Sequence, residues 1–413
     1  MSEASTTATG ISGRLLVMMA VSCALAVSTI YYHQPLLAQM ASSFGLAPAQ
    51  AGLISTLTQL GYAMGLLLIV PLADCRQPRR LATLAIATNA GALLACAAAP
   101  NFAMLCASSF VVGVTAITAQ IIIPSLSSLA TPATRGRVVG ALLSGLSAGL
   151  LLARTVGGFL GAQGGWRSVF ALAALVDVPL LIIVARSLPL ATNQASIGYA
   201  GLIRSLGSLV REEPVLRLCA ASGFMLFAAV SALWASLAAL LAQPPYAFGP
   251  ATIGLFGLVA LLGIAASPGI GVLVDRLGAR AMVLAGAMTL VLGMVFVAAA
   301  GHSLVWLIVG LVLIDFGNRG GLVANQSRIY ALRAEARSRL NTVFMSAYFL
   351  GGAAGAAAGS YGAHRAGWIG LASVGALFAV LAAVINARTP RTADTTLAVE
   401  RAGATHGPQG PRE

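Results

Sequence analysis

The stretch PAQAGLISTLTQLG, residues Pro48–Gly61, returns as PATIGLFGLVALLG, residues Pro250–Gly263, 202 residues further on. Working outward, the same spacing recurs. Arg135-Gly-Arg137 returns as Arg337-Ser-Arg339, Gly149 as Gly351 and Trp166 as Trp368. Asp74 returns as Asp275, one residue short, so a single slip lies between the two blocks. An echo of this length predicts two homologous halves, with a site at the interface between them.

Composition says what the halves are made of. Hydrophobic residues make up 58% of the 413-residue chain and charged residues 8%, and the mean hydropathy is +0.90. A soluble protein carries about a quarter charged residues. Apolar stretches long enough to cross a bilayer recur between short polar breaks. Twelve are readable, centred near Ala26, Gly61, Asn89, Gly113, Gly149, Leu175, Ala228, Leu262, Leu290, Leu313, Leu350 and Leu377. Backbone amides in hydrocarbon must bond internally, and continuous apolar runs select helices over barrel strands. The expectation is an all-α integral membrane protein of twelve transmembrane helices in two pseudo-symmetric six-helix halves. Residues 14–188 and 214–387 form the halves. Residues 189–213 link them, with Leu202, Leu206 and Leu209 on one face of a short interfacial helix. Residues 1–13 and 388–413 read as disordered polar tails.

Every basic side chain is an arginine, 24 in all. Without lysine there is no phosphate loop ending in Lys-Ser/Thr and no lysine Schiff base. With the amino terminus in the cytoplasm, only Arg167 and Arg365 fall in outer loops, and Arg154 and Arg319 fall within spans. The remaining twenty lie on the cytoplasmic side, which predicts a multi-pass protein of a bacterial inner membrane with both termini inside. The same asymmetry accounts for a sequence pI near 10.6 without nucleic acid as a partner. Cys23, Cys75, Cys96, Cys106 and Cys219 lack metal-ligand or redox spacing. No nucleophile–base set or paired carboxylates suggest an enzyme. No cofactor or metal is expected; the expected partners are a small-molecule substrate, protons and membrane lipid, and the chain reads as a monomer.

The segment GVLVDRLGAR, Gly271–Arg280, resembles the Gly-x-x-x-Asp-Arg-x-Gly-x-Arg loop of the major facilitator superfamily. Its first-half copy, VPLADCRQPRR from Val70 to Arg80, keeps Asp74 but has Val70 and Gln77 in place of both glycines. The resemblance implies a conformational latch at the cytoplasmic helix ends. Its members would be Asp74, Arg79, Arg80, Asp275, Arg276, Arg280, Arg135 and Arg337, and acids meeting helix ends and arginines supply the physics. On the fifth span, Gly140, Gly149, Gly157 and Gly158 resemble the glycine pattern of that superfamily's proton-coupled drug antiporters, with Ala153 and Arg154 replacing a glycine and the proline. Small residues there predict close packing at the interface of the halves. The segments Tyr31–Gly45, Leu150–Gly158 and Asn325–Gly352 are similar to a bacterial group related to arabinose-efflux and multidrug-efflux permeases. The resemblance implies alternating access, with spans 1, 4, 7 and 10 lining a central cavity.

Ionisable groups at midspan cost about 2.5–3.5 kcal/mol each on insertion scales, so each needs a reason. Arg154 lies 12 residues before Trp166 and Asp177 lies 11 after it, which puts them at similar depth on adjacent antiparallel helices. They are expected to neutralise each other if both face inward. Asp315 and Arg319, four apart on span 10, share a helix face. Asp315, Asp177 and His33 are the proton-coupling candidates. A permanent Asp315–Arg319 pair and a purely hydrogen-bonding His33 are the structural alternatives. Tyr32, Gln34, Gln120, Arg154, Phe227, Trp234, Asn318 and Arg319 are the substrate-cavity candidates. Proton-coupled efflux leads. A proton-coupled importer or uniporter of a sugar or organic anion is the second reading, and a non-transporting receptor or scaffold is the alternative of a different class.

Overall fold

The computed structural model describes residues 11–190, 198–333 and 336–388, with the side chains of 132–133, 260, 263–268, 271 and 275 outside the description. Most of both polar tails and part of the linker lie outside the described residues. Twelve transmembrane helices form two pseudo-symmetric halves. Among the described residues eight helices are long and apolar enough to cross a membrane, and two of these fold back on themselves. The helix Pro132–Ser187 turns at Gly165, where φ is 75°. The helix Arg337–Ala387 turns at Ala366 and Gly367, where φ of the glycine is 56°. Glycine tolerates these left-handed values without a Cβ clash.

In chain order, α1 starts at Gly13–Ser28 and resumes at Leu37–Ser43. Helix α2 spans Pro48–Cys75, α3 spans Pro78–Ala97 and α4 spans Phe102–Leu129. The two arms of Pro132–Ser187 are α5 and α6. Helix α7 is Pro214–Leu241. Helix α8 is Ala260–Leu277, entered through Pro250–Leu255 and Phe256–Val259. Then come α9, Ala279–Ala298, and α10, Leu304–Tyr330. The arms of Arg337–Ala387 are α11 and α12. A linker helix, Tyr199–Glu212, buries Leu202, Leu206 and Leu209, and Arg333 binds it at Glu212 (3.1 Å) and the next residue, Glu213 (2.7 Å). The hydrogen bond that Arg333 donates to the Glu212 carboxylate raises the pKa of its guanidinium.

The sequence echo becomes paired geometry. Phe44 packs on Trp166 at 5.8 Å between ring centroids, and their repeat mates Tyr246 and Trp368 pack at 6.5 Å. Arg79 donates to the carbonyl of Ala185 at the end of α6, and Arg280 donates to that of Ala387 at the end of α12. Arg135 and Arg337 donate likewise to Ser127 and Tyr330, at the ends of α4 and α10. Helix C-termini leave carbonyls without partners and carry partial negative charge, so a guanidinium fits there. Each of these four bonds stays within its own half.

Helices α1 and α7 break the symmetry. Pro35 has no N–H, and its ring clashes with the carbonyl four residues back, which ends the first segment of α1. The chain from Thr29 to Leu36 uses short-range bonds such as Tyr31 N to Ser28 O (2.9 Å) and Leu36 N to His33 O (2.9 Å). The repeat mate of Pro35 is Leu237, and α7 runs unbroken through it. Close packing holds α1 to α5: a Cβ on Gly149 would lie 2.2 Å from the Ala24 carbonyl oxygen, and one on Gly145 2.2 Å from that of Ala20. Gly140 has nothing within 4 Å of the same point.

Candidate functional site

Between the halves lies a cavity of about 220 Å³, lined by residues of α1, α2, α4, α5, α7, α10 and α11. Its polar groups gather where the repeat fails. Arg154 of α5 donates through Nε to Gln34 Oε1 (2.6 Å) and through Nη1 to the Leu150 carbonyl (3.2 Å). Its guanidinium lies 4.0 Å from the Trp234 ring centroid and 4.8 Å from that of Tyr31. Gln34 and Tyr31 belong to the broken part of α1, so a proline kink and an added arginine meet at one point. Room for the arginine comes from the segment Phe256–Val259 that leads into α8: a Cβ on Gly257 would come within 2.9 Å of Arg154 Cβ.

Across the cavity, Asp315 and Arg319 form an ion pair at 2.8 Å, with side chains 25% and 24% exposed. Both lie within electrostatic reach of Arg154. Asn318 and the Tyr348 hydroxyl exchange hydrogen bonds at 2.9 and 3.1 Å. Phe227 stacks on Tyr348 with centroids 4.1 Å apart, and Phe349 packs edge-on against Tyr62 at 4.5 Å. Gln120 donates to Tyr62 Oη at 3.3 Å.

The cavity gathers Gln120, Arg154, Phe227, Trp234, Asn318, Arg319 and Asp315, all named from sequence. Gln34 stands behind Arg154 as its acceptor. Tyr31 lines the wall in place of the expected Tyr32, because the α1 break turns Tyr32 away, within electrostatic reach of Asp177. His33 is buried outside the cavity and shares a 2.8 Å hydrogen bond with Ser55 of α2. The expected Arg154–Asp177 pair is not made among the described residues. Depth counted from the hairpin does not fix rotation: Asp177 lies on the buried stripe of Phe170, Ala173, Ala174 and Leu180, inside the first half. Its Oδ2 has no hydrogen-bond partner among the described residues.

Sequence reasoning missed Tyr62, Tyr348 and Phe349. The glycine pair beside the last two was the available signal: a Cβ on Gly352 would lie 2.7 Å from Phe227 and 2.8 Å from Gln59.

One end of the cavity is shut by close contact between the halves. A Cβ on Gly158 would lie 2.4 Å from the Pro250 carbonyl oxygen, and one on Gly52 1.9 Å from Ser360 Oγ. Thr155 donates to the Gly254 carbonyl at 3.1 Å. Toward the opposite, arginine-rich face the cavity adjoins a recess that holds Asp74, Leu206 and Arg339, and Gln120 lines both spaces. Asp74 and Arg339 attract one another across the halves. Among the expected latch residues, Asp74 therefore shares a recess with Arg339, while Arg79, Arg135, Arg280 and Arg337 cap helices. Arg80 and Arg276 are exposed, and the Asp275 side chain lies outside the described residues.

Two repeated bundles, sealed at one end around a charged cavity, have the architecture of a membrane transporter. The Major Facilitator Superfamily model matches residues 16–317 and 219–406, and the chain belongs to that family. The chain is 36% identical over 371 residues to the uncharacterized transporter YgaY of Escherichia coli O157:H7, covering 90% of this chain and 94% of that protein. Among solved structures, a bacterial homolog of the human lysosomal transporter Spinster, in an inward-facing and unoccupied conformation, superposes with a TM-score of 0.72. That match covers 94% of this chain and 98% of the other at 16% identity. The human organic anion transporter MFSD10 gives a TM-score of 0.65 at 18% identity, covering 90% and 99%. Likeness at such identities shows the fold alone. The chain is thus a secondary transporter and a multi-pass membrane protein.

Proposed function

We propose that the protein exports a small solute across the bacterial inner membrane in exchange for protons, with both termini in the cytoplasm. One observation carries the reading: Asp315, a carboxylate on a membrane-spanning helix, is a quarter exposed, pairs with Arg319 and lies within electrostatic reach of Arg154. A carboxylate in this position gains or loses a proton as conformational change or a ligand alters its neighbours. The arginine asymmetry supports the orientation. With the arginine-rich face inside, the cavity leads toward the cytoplasm and the sealed end faces out. The fifth-span glycines support the exchange reading, since Gly158 forms part of the seal between halves. The latch role goes to Asp74 with Arg339. Asp177 and His33 stand outside the cavity, which leaves Asp315 as the residue for coupling.

The test is flux of a solute panel in proteoliposomes under an imposed pH gradient. Solute movement against the proton flow, abolished by Asp315→Asn in a protein that inserts normally, is the expected result. Movement with the protons would make the protein an importer, and coupling retained in Asp315→Asn would remove that residue from the mechanism.

A further inference from the structure

We infer that the central cavity takes a small aromatic monoanion, its acid group held by Arg154 and its ring laid against the aromatic wall. The inference rests on the transporter reading and adds the class of substrate. Charge is the first argument. Among the described residues the acidic and basic side chains that line the cavity are Arg154, Arg319 and Asp315, one more base than acid. Arg319 is satisfied by Asp315 at 2.8 Å. The bonded partners of Arg154 are a neutral amide and a backbone carbonyl, and its Nη2 makes no hydrogen bond among the described residues. A charge held at membrane depth against neutral partners is stabilised by an anion and repels a cation.

The scaffold gives the second argument. The repeat mates of Arg154, Asp315 and Arg319 are Ala356, Gly113 and Ile117 in that order, so the fold does not need these charges. Accommodating Arg154 also takes a broken α1 and the space beside Gly257. Shape and surface give the third. Arg154 is framed by the faces of Trp234 and Tyr31, and the stacked Phe227 and Tyr348 lie on the same wall. Flat apolar faces around a single cationic centre suit a ring that bears one carboxylate. The volume of about 220 Å³ falls below the ~300–1,000 Å³ of drug-sized sites, which restricts the ligand to one or two rings.

The test is calorimetric titration of the full chain in lipid nanodiscs with 2-naphthoate, 2-naphthamide and 2-naphthylmethylamine, which share a ring and differ in charge. Naphthoate should bind at least about tenfold tighter than the amide, and the amine weakest. Arg154→Gln should weaken naphthoate about tenfold or more and leave the amide within about threefold. Asp315→Asn, which removes the competing carboxylate, should tighten naphthoate, and this variant keeps the test independent of any folding defect in Arg154→Gln. Preference for the amine, or equal loss of acid and amide in Arg154→Gln, would overturn the inference. Absence of binding by all three, in a protein that moves another solute in liposomes, would overturn the ligand class and leave transport standing. Naphthoate binding without any flux would keep the site and remove the transport reading.

Discussion

Gly149 and Gly158 lie on one helix, two and a half turns apart, yet replacing each with alanine should do different things. A Cβ at 149 would lie 2.2 Å from the Ala24 carbonyl oxygen and 2.7 Å from Ala24 Cα, in the same half. A Cβ at 158 would lie 2.4 Å from the Pro250 carbonyl oxygen and 3.0 Å from Gly254 Cα, in the other half. Ordinary contact begins near 3.4 Å, so either methyl must push backbone apart by about 1 Å. Overpacking of this kind costs about 1–3 kcal/mol. At 149 the cost falls on α1 against α5, which move together, so it is present in every conformation and appears as lost stability. At 158 it falls only on the conformation with this end sealed. The same 1–3 kcal/mol then shifts the equilibrium toward the opposite-facing state by a factor of about 5–150. The assay is modification by an impermeant maleimide of a cysteine placed at the cavity residue Ser147, in a cysteine-free background, applied from the sealed side. Gly158→Ala should raise the labelling rate at least about fivefold with little loss of stability. Gly149→Ala should lower stability and leave labelling unchanged. If Gly158→Ala loses stability as Gly149→Ala does and labelling stays flat, the 158–254 contact is not a seal that opens.

Tyr348→Phe strands the Asn318 amide and should cost about 1–3 kcal/mol in denaturant titration, whereas Asn318→Leu combined with Tyr348→Phe should recover part of the loss because no buried group is left unpaired. Trp166→Ala should destabilise more than Trp368→Ala despite their equivalence in the repeat. Trp166 is 2% exposed and bonds Ser43 at 2.9 Å, while its mate is only half-buried; equal losses would mean the repeat outweighs burial.

The fold was legible because the repeat is physical as well as textual. Residues 202 apart occupy matching places, as the Phe44–Trp166 and Tyr246–Trp368 contacts demonstrate. The seal was half legible: the glycine pattern pointed to the interface, but Gly140 has open space beside it and Gly158 touches backbone. Pattern alone does not tell a glycine that permits contact from one that does not need to. The cavity was legible where charge or an amide marked it, at Arg154, Asp315, Asn318 and Gln120. It was illegible where rotation decided, since counting from a hairpin gives depth but not facing. Asp177 turned into its own half for that reason, and the Pro35 break exchanged Tyr31 for Tyr32. Tyr62, Tyr348 and Phe349 were hidden because an aromatic in an apolar helix reads as packing until a partner such as Asn318 or Gln120 is seen.

Exchange of solute for protons through Asp315 has a direct signature in the proton movement itself. The direct measurement is the internal pH of proteoliposomes loaded with a pH-sensitive dye, followed after a transported solute is added outside. Solute entry should drive protons out and turn the interior alkaline, and Asp315→Asn should abolish the alkalinisation while solute still equilibrates. Acidification of the interior, or alkalinisation that survives Asp315→Asn, would contradict it.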